Sequence, residues 1–172
     1  MSIYYKIIND FLKIKVFYIV AFISFSTVLT ALYIDYFLEF DPCPLCIYQR
    51  VPYFIASFFS VAGMILNSKF SKLLLQILIL VFISGASISV YHLGIERSWW
   101  SPSKMCKPEI RVGENTSLEE FKIALDHAPI GDCSKPAITI FNFSLAEINS
   151  IFSFCLIFYL VRVYTAYEKT TI

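Results

Sequence analysis

Charge is what this sequence has least of. Charged side chains make up 16% of the 172 residues, against about a quarter in an ordinary globular chain, while 58% are hydrophobic. A soluble domain of this length could not hide that much apolar surface. The formal net charge is only +1, which argues against a nucleic-acid binder, whose backbone contacts need a basic face. Repeats, low-complexity tracts and a glycine-rich phosphate loop are also missing. What the chain does have is runs of about 20 apolar residues, the length that crosses a bilayer.

Ile3, Ile7, Phe11 and Ile14 recur at helical spacing among Lys6, Asp10, Lys13 and Lys15, which predicts a short interfacial helix over residues 1–15. Uncharged runs then predict transmembrane helices over about 16–34, 47–66, 73–91 and 145–164. The first run shows no small-residue cleavage site, so it reads as a span and not as a signal peptide. A short loop over about 35–46 and a long one over about 92–144 carry the polar sequence, with a tight turn at 67–72. The expected fold is an all-α membrane protein, a four-transmembrane-helix bundle forming one integral-membrane domain over residues 1–172.

Lys and Arg concentrate in the N-terminal segment, the Lys69/Lys72 turn and the tail with Arg162 and Lys169. The 35–46 loop is acidic. By the positive-inside rule both termini are cytoplasmic, and Cys43, Cys46, Cys106 and Cys133 face outward, with Trp99 and Trp100 at the outer headgroups. In the long loop, Thr116 or Ser117 with Glu119 or Glu120 makes a capping box ahead of Leu118, Phe121, Leu125 and Ala128. That pattern predicts a short interfacial helix ending near Pro129 and Gly131.

Four of the five cysteines lie outside the spans or at their edges, dense thiol usage that indicates an oxidising compartment. Cys43 and Cys46 form C-x-x-C at a helix start, where unpaired N–H groups favour a thiolate. The pair can be redox-active, a staple or half a zinc site. Zinc wants four close ligands, and Cys106, Cys133 and His92 are spread through a loop, so no metal is expected. Arg50 follows Cys46 by one helical turn, on the side of the membrane where cations are disfavoured. Its partner is either the Cys46 thiolate or a quinone oxygen, unless it merely snorkels to phosphate. Cys106 and Cys133 enclose roughly 26 residues, and a simple staple there contributes ~3–4 kcal/mol. Two pairs on one face favour exchange, in which a thiolate attacks a second disulfide. His92, closing the third span, is either an interfacial histidine or a proton donor or orienter beside a quinone. Cys155, mid-span, reads as packing.

Pro42-Cys43-Pro44-Leu45-Cys46-Ile47-Tyr48-Gln49-Arg50-Val51-Pro52 closely resembles the signature of the DsbB family of bacterial inner-membrane thiol oxidases. Tyr91 to Glu96, the Cys106/Cys133 spacing and Ser144 to Asn149 resemble that family too, and the likeness covers nearly the whole chain. The resemblance implies a four-helix bundle with ubiquinone or menaquinone near the outer face and a periplasmic thioredoxin-fold partner of the DsbA type. It also implies the roles. The partner attacks Cys106, the released Cys133 attacks Cys43, and Cys46 passes electrons to the quinone beside Arg50. Two other readings remain open on the sequence alone. One is a membrane scaffold or transport subunit with purely structural disulfides, and the other is a quinone reductase of the vitamin K epoxide reductase type.

Overall fold

The computed structural model describes residues 2–66, 70–103, 106, 117, 119, 132–136 and 138–169. Four long helices dominate: α1 (Ser2–Phe37), α2 (Pro44–Ile65), α3 (Ser71–Glu96) and α4 (Leu145–Lys169). Ahead of α4 stands a two-stranded antiparallel hairpin of β1 (Thr139–Ile140) and β2 (Phe143–Ser144). Stretches within all four helices are long and apolar enough to cross a membrane: Lys15–Phe37, Pro44–Ile65, Ser71–Glu96 and Leu145–Glu168. The chain is an all-α, multi-pass membrane protein.

Several boundaries depart from the sequence expectation. Residues 2–15 are the start of α1, continuous with the first span, not a separate interfacial helix. No proline or glycine interrupts the run, so nothing stops the helix. At its other end α1 continues past Asp35, which reads as loop in sequence. α2 begins at Pro44, placing Cys46 inside the helix, and α3 runs to Glu96, more than a turn past His92. Most of the helix expected near 116–128 lies outside the described residues, as do 67–69 of the turn expected at 67–72, whose last two residues already belong to α3. The β-hairpin has no counterpart in the sequence expectation. Its turn puts Phe141 (φ 50°) and Asn142 (φ 69°) in the left-handed region that two-residue hairpins require.

Consecutive helices pack on one another, α1 on α2, α2 on α3 and α3 on α4. The buried face of α3 repeats at helical spacing: Leu74, Leu75, Leu78, Phe82, Ala86, Ser89 and His92. It meets Phe17 and Val20 of α1, Tyr53 and Ala56 of α2, and Leu156 and Leu160 of α4 in one core. Lipid tails are as apolar as leucine, so helix association in a bilayer rests on close packing and buried polar contacts. Small residues supply the first. A Cβ on Gly63 would stand 2.6 Å from Phe17 Cδ1, and one on Gly85 would stand 3.1 Å from Pro52. Outward-facing Phe22, Phe58, Ile65 and Phe158 present the apolar surface that lipid requires. Cys155 belongs to that outward face and not to the packed interior expected of it.

Candidate functional site

The site sits where the N-terminus of α2 meets the C-terminal turns of α3. Pro44 occupies the first turn of α2, where its missing N–H costs nothing, and Cys43 takes the N-cap. The C-x-x-C spacing sets the geometry of the pair. Cys46 is the third helical residue, so its backbone N–H reaches back to Cys43 Sγ at 3.2 Å, and its own Sγ lies 2.9 Å from that of Cys43. A sulfur thus plays the part that serine or aspartate plays in an ordinary cap.

His92 faces this pair from α3, with Nε2 3.5 Å from Cys43 Sγ. The same nitrogen lies 3.7 Å from Glu96 Oε1, one turn further on. Glu96 accepts a 2.5 Å hydrogen bond from Ser144 Oγ. All three groups are secluded: Cys43 is 4%, His92 3% and the Glu96 side chain 7% exposed. Hydrogen bonding from the Cys46 thiol, supported by His92 and the Cys46 backbone and opposed by burial, lowers the Cys43 thiol from 9.0 to about 5. Within the pair, Cys43 is the more acidic thiol.

A polar network one turn below holds α2 and α3 in register. Gln49 Nε2 donates to Ser89 Oγ at 3.2 Å, Asn149 Nδ2 donates to the same oxygen at 2.6 Å, and Tyr53 OH donates to Asn149 at 2.6 Å. Ser89 lies one turn before His92, so this bridge of three helices fixes the histidine over Cys43. At the N-terminus of α4, Ser144 and Glu147 form a capping box. Glu147 N donates to Ser144 Oγ at 3.1 Å, and Ser144 N donates to Glu147 Oε2 at 2.9 Å. Arg97 closes the arrangement by pairing with Glu147.

The second cysteine pair is a disulfide between Cys106 and Cys133, with Cα atoms 5.5 Å apart. Both residues are buried. They join Cys43, Leu45 and Ile95 in one apolar cluster, with the half-buried Cys46 against it. The fold therefore brings together four cysteines drawn from distant parts of the chain.

The DsbB family model, described as disulfide bond formation protein DsbB, matches residues 13–163. The chain belongs to the DsbB family. An uncharacterized protein of Rickettsia prowazekii (strain Madrid E) is 33% identical over 138 residues, 80% of each chain. The disulfide bond formation protein B of Pasteurella multocida (strain Pm70) is 30% identical over 132 residues, 73% of each chain. That of Cupriavidus pinatubonensis (strain JMP 134 / LMG 1197) is 29% identical over 149 residues, covering 81% of this chain and 85% of its own. No solved structure matches. As a DsbB-family protein the chain acts in disulfide bond formation, as a disulfide oxidoreductase of the membrane.

Within this DsbB-family site, Arg50 is placed differently from the expectation. Its guanidinium grips both carboxylate oxygens of Asp35 in α1, one contact being Nη2 to Oδ1 at 2.9 Å. Sequence reasoning misses Asp35 because a charged residue at the end of an apolar run reads as loop. The available signal is the apolar run continuing through Tyr36, Phe37 and Leu38. It misses Glu96 as well, although Glu96 follows His92 at the spacing that places two side chains on one helix face. The expectation of no metal rests on His92 being remote, yet Cys43 Sγ, Cys46 Sγ and His92 Nε2 all lie within 4.8 Å of one another. A groove of about 450 Å³ runs along the last turns of α1, lined by Leu29, Tyr33, Tyr36 and Phe37 on either side of Asp35 in sequence.

Proposed function

We propose that this DsbB-family protein reoxidises a periplasmic, DsbA-type thioredoxin-fold protein and delivers the electrons to membrane quinone. The observation that carries the reading is the cluster of Cys43, Cys46, Cys106 and Cys133, because exchange between two pairs needs both within reach of one thiolate. In this reading residues 1–172 act as one bacterial inner-membrane domain, with both termini cytoplasmic and the four cysteines periplasmic.

The roles follow from chemistry. A thiolate of the reduced partner attacks Cys106, forming a mixed disulfide and freeing Cys133. Cys133 attacks Cys43 of the Cys43–Cys46 disulfide, closing a bond between the pairs and releasing Cys46. Attack by the partner's second thiol on the mixed disulfide releases an oxidised partner. Ubiquinone or menaquinone, when bound, supplies a two-electron acceptor. The residues fit such a group. The apolar groove along α1 suits a quinone ring and tail, and Asp35 uses only part of the five-donor fork of Arg50. Arg50 then orients an oxygen acceptor and offsets negative charge, while His92 holds or yields a proton at Cys43 Sγ.

The rival reading, a membrane scaffold or transport subunit with purely structural disulfides, draws on the burial of Cys106 and Cys133, 2% and 0% exposed. Reconstituted turnover separates the two. The purified protein with reduced thioredoxin-fold partner and a short-chain quinone should consume one quinone for every partner dithiol oxidised, two thiols for each quinone. Cys133→Ser should accumulate the mixed disulfide, whereas Cys106→Ser should form none. A loop disulfide that stays intact, with no quinone consumed, favours the scaffold.

A further inference from the structure

We infer that the reduced Cys43–Cys46 pair and His92, with Glu96 beside the imidazole, form a binding site for a thiophilic divalent cation of the zinc and cadmium class, present only while the pair is reduced. Three donors already converge, two sulfurs and an imidazole nitrogen within 4.8 Å of one another. Glu96 Oε1 stands 3.7 Å from the same nitrogen, beside the three donors and outside their cluster, so the fourth position is left to water or a solute ligand.

The spacing suits a tetrahedral ion. With metal–ligand bonds of about 2.0–2.3 Å, the edges between ligands run roughly 3.3–3.8 Å. The Cys43 Sγ–His92 Nε2 distance is 3.5 Å. The 2.9 Å between the two sulfurs is short. Side-chain rotation of Cys46, which is less buried than Cys43, opens that edge.

The charge balance points the same way. Glu96 is a nearly buried carboxylate whose neighbours are His92 and a hydroxyl, while the nearby Arg97 is engaged by Glu147. A buried carboxylate is costly without a cation to offset it. Binding displaces the proton still held within the pair, with no electron transferred: M²⁺ plus one R–S⁻ and one R–SH gives M(SR)₂ plus one H⁺. Oxidation to the Cys43–Cys46 disulfide removes both sulfur ligands, so metal and disulfide exclude each other. On the function proposed above, a bound ion therefore arrests electron flow.

The test uses the full-length chain carrying Cys106→Ser and Cys133→Ser, so that the loop pair cannot bind. Reduced without oxygen, it is titrated with cadmium, following thiolate-to-cadmium charge-transfer absorption. One equivalent should bind. Cys46→Ser should abolish the band, and His92→Ala should weaken binding tenfold or more. Absent saturation, or unchanged affinity in a folded His92→Ala protein, overturns the site. Should His92→Ala not fold, X-ray absorption of the zinc-loaded background protein decides. Two sulfurs at about 2.3 Å with nitrogen or oxygen at about 2.0–2.1 Å support the site, and a shell of sulfur alone refutes it. These measurements involve no quinone and no partner. Failure of the proposed function shows separately, as absent turnover in metal-free protein.

Discussion

The guanidinium of Arg50 closes on both carboxylate oxygens of Asp35, tying the second turn of α2 to the last turns of α1. The two side chains are 18% and 15% exposed. A two-point ion pair fixes the guanidinium plane as well as its position.

Asp35→Asn and Arg50→Gln should therefore fail in different ways. Asp35→Asn should lower stability by ~1.5–3 kcal/mol, the scale of a lost charged hydrogen bond, read from unfolding in detergent. Arg50→Gln should lose stability too and, in addition, weaken apparent quinone affinity by roughly tenfold. Arg50→Lys, which keeps charge but not the fork, should fall between. Equal quinone kinetics in Arg50→Gln and wild type would leave Arg50 as a structural tie alone.

The Cys43 thiol, lowered to about 5, should stay reactive well into acid. Above that pH it is a thiolate and below it a thiol, so the alkylation rate should fall only as pH drops through about 5. His92→Asn should move the midpoint upward by removing one of the lowering contacts. The same shift bears on stability. The folded value lies below the ordinary 9.0, so its contribution to the reduced fold is complete above pH 9.0 and is lost as pH falls through about 5. Mass spectrometry of the alkylated peptide, across pH, reads the reactivity. A midpoint near the ordinary thiol value would refute the assignment.

Ser144 serves two partners, the α4 N-terminus and Glu96. Ser144→Ala should cost more than the ~1 kcal/mol of a lost cap, because it also strips a buried carboxylate of its hydroxyl. Ser144→Asp keeps a cap but sets a second carboxylate against Glu96, and should not rescue. Unfolding of the three proteins side by side checks the order.

Gly63 and Phe17 make a reciprocal pair, the ring filling the space a side chain would need. Gly63→Ala should destabilise by ~1–3 kcal/mol through overpacking. Adding Phe17→Leu should recover part of that loss, and a strictly additive double mutant would show that the contact is not the cause.

The apolar runs made the four-helix membrane fold legible, because a bilayer tolerates little other than helices at such composition. The C-x-x-C motif likewise announced two sulfurs on one face at a helix start, since residues i and i+3 share a helix face, although the helix begins at Pro44, earlier than the sequence reading placed it. Helix ends were less legible. Charged residues such as Asp35 and Glu96 look like loop in sequence, yet helices continue through them wherever a partner from elsewhere satisfies the charge. Those partners, Arg50 for Asp35 and Ser144 for Glu96, lie 15 and 48 residues away in the chain. Chain spacing determined that Cys43 and Cys46 would meet. Only the packing of α3 against α2, and of the loop disulfide on both, decided that His92 and the second cysteine pair would meet them there, because contacts between distant segments follow from burial in three dimensions and leave no local periodicity to read.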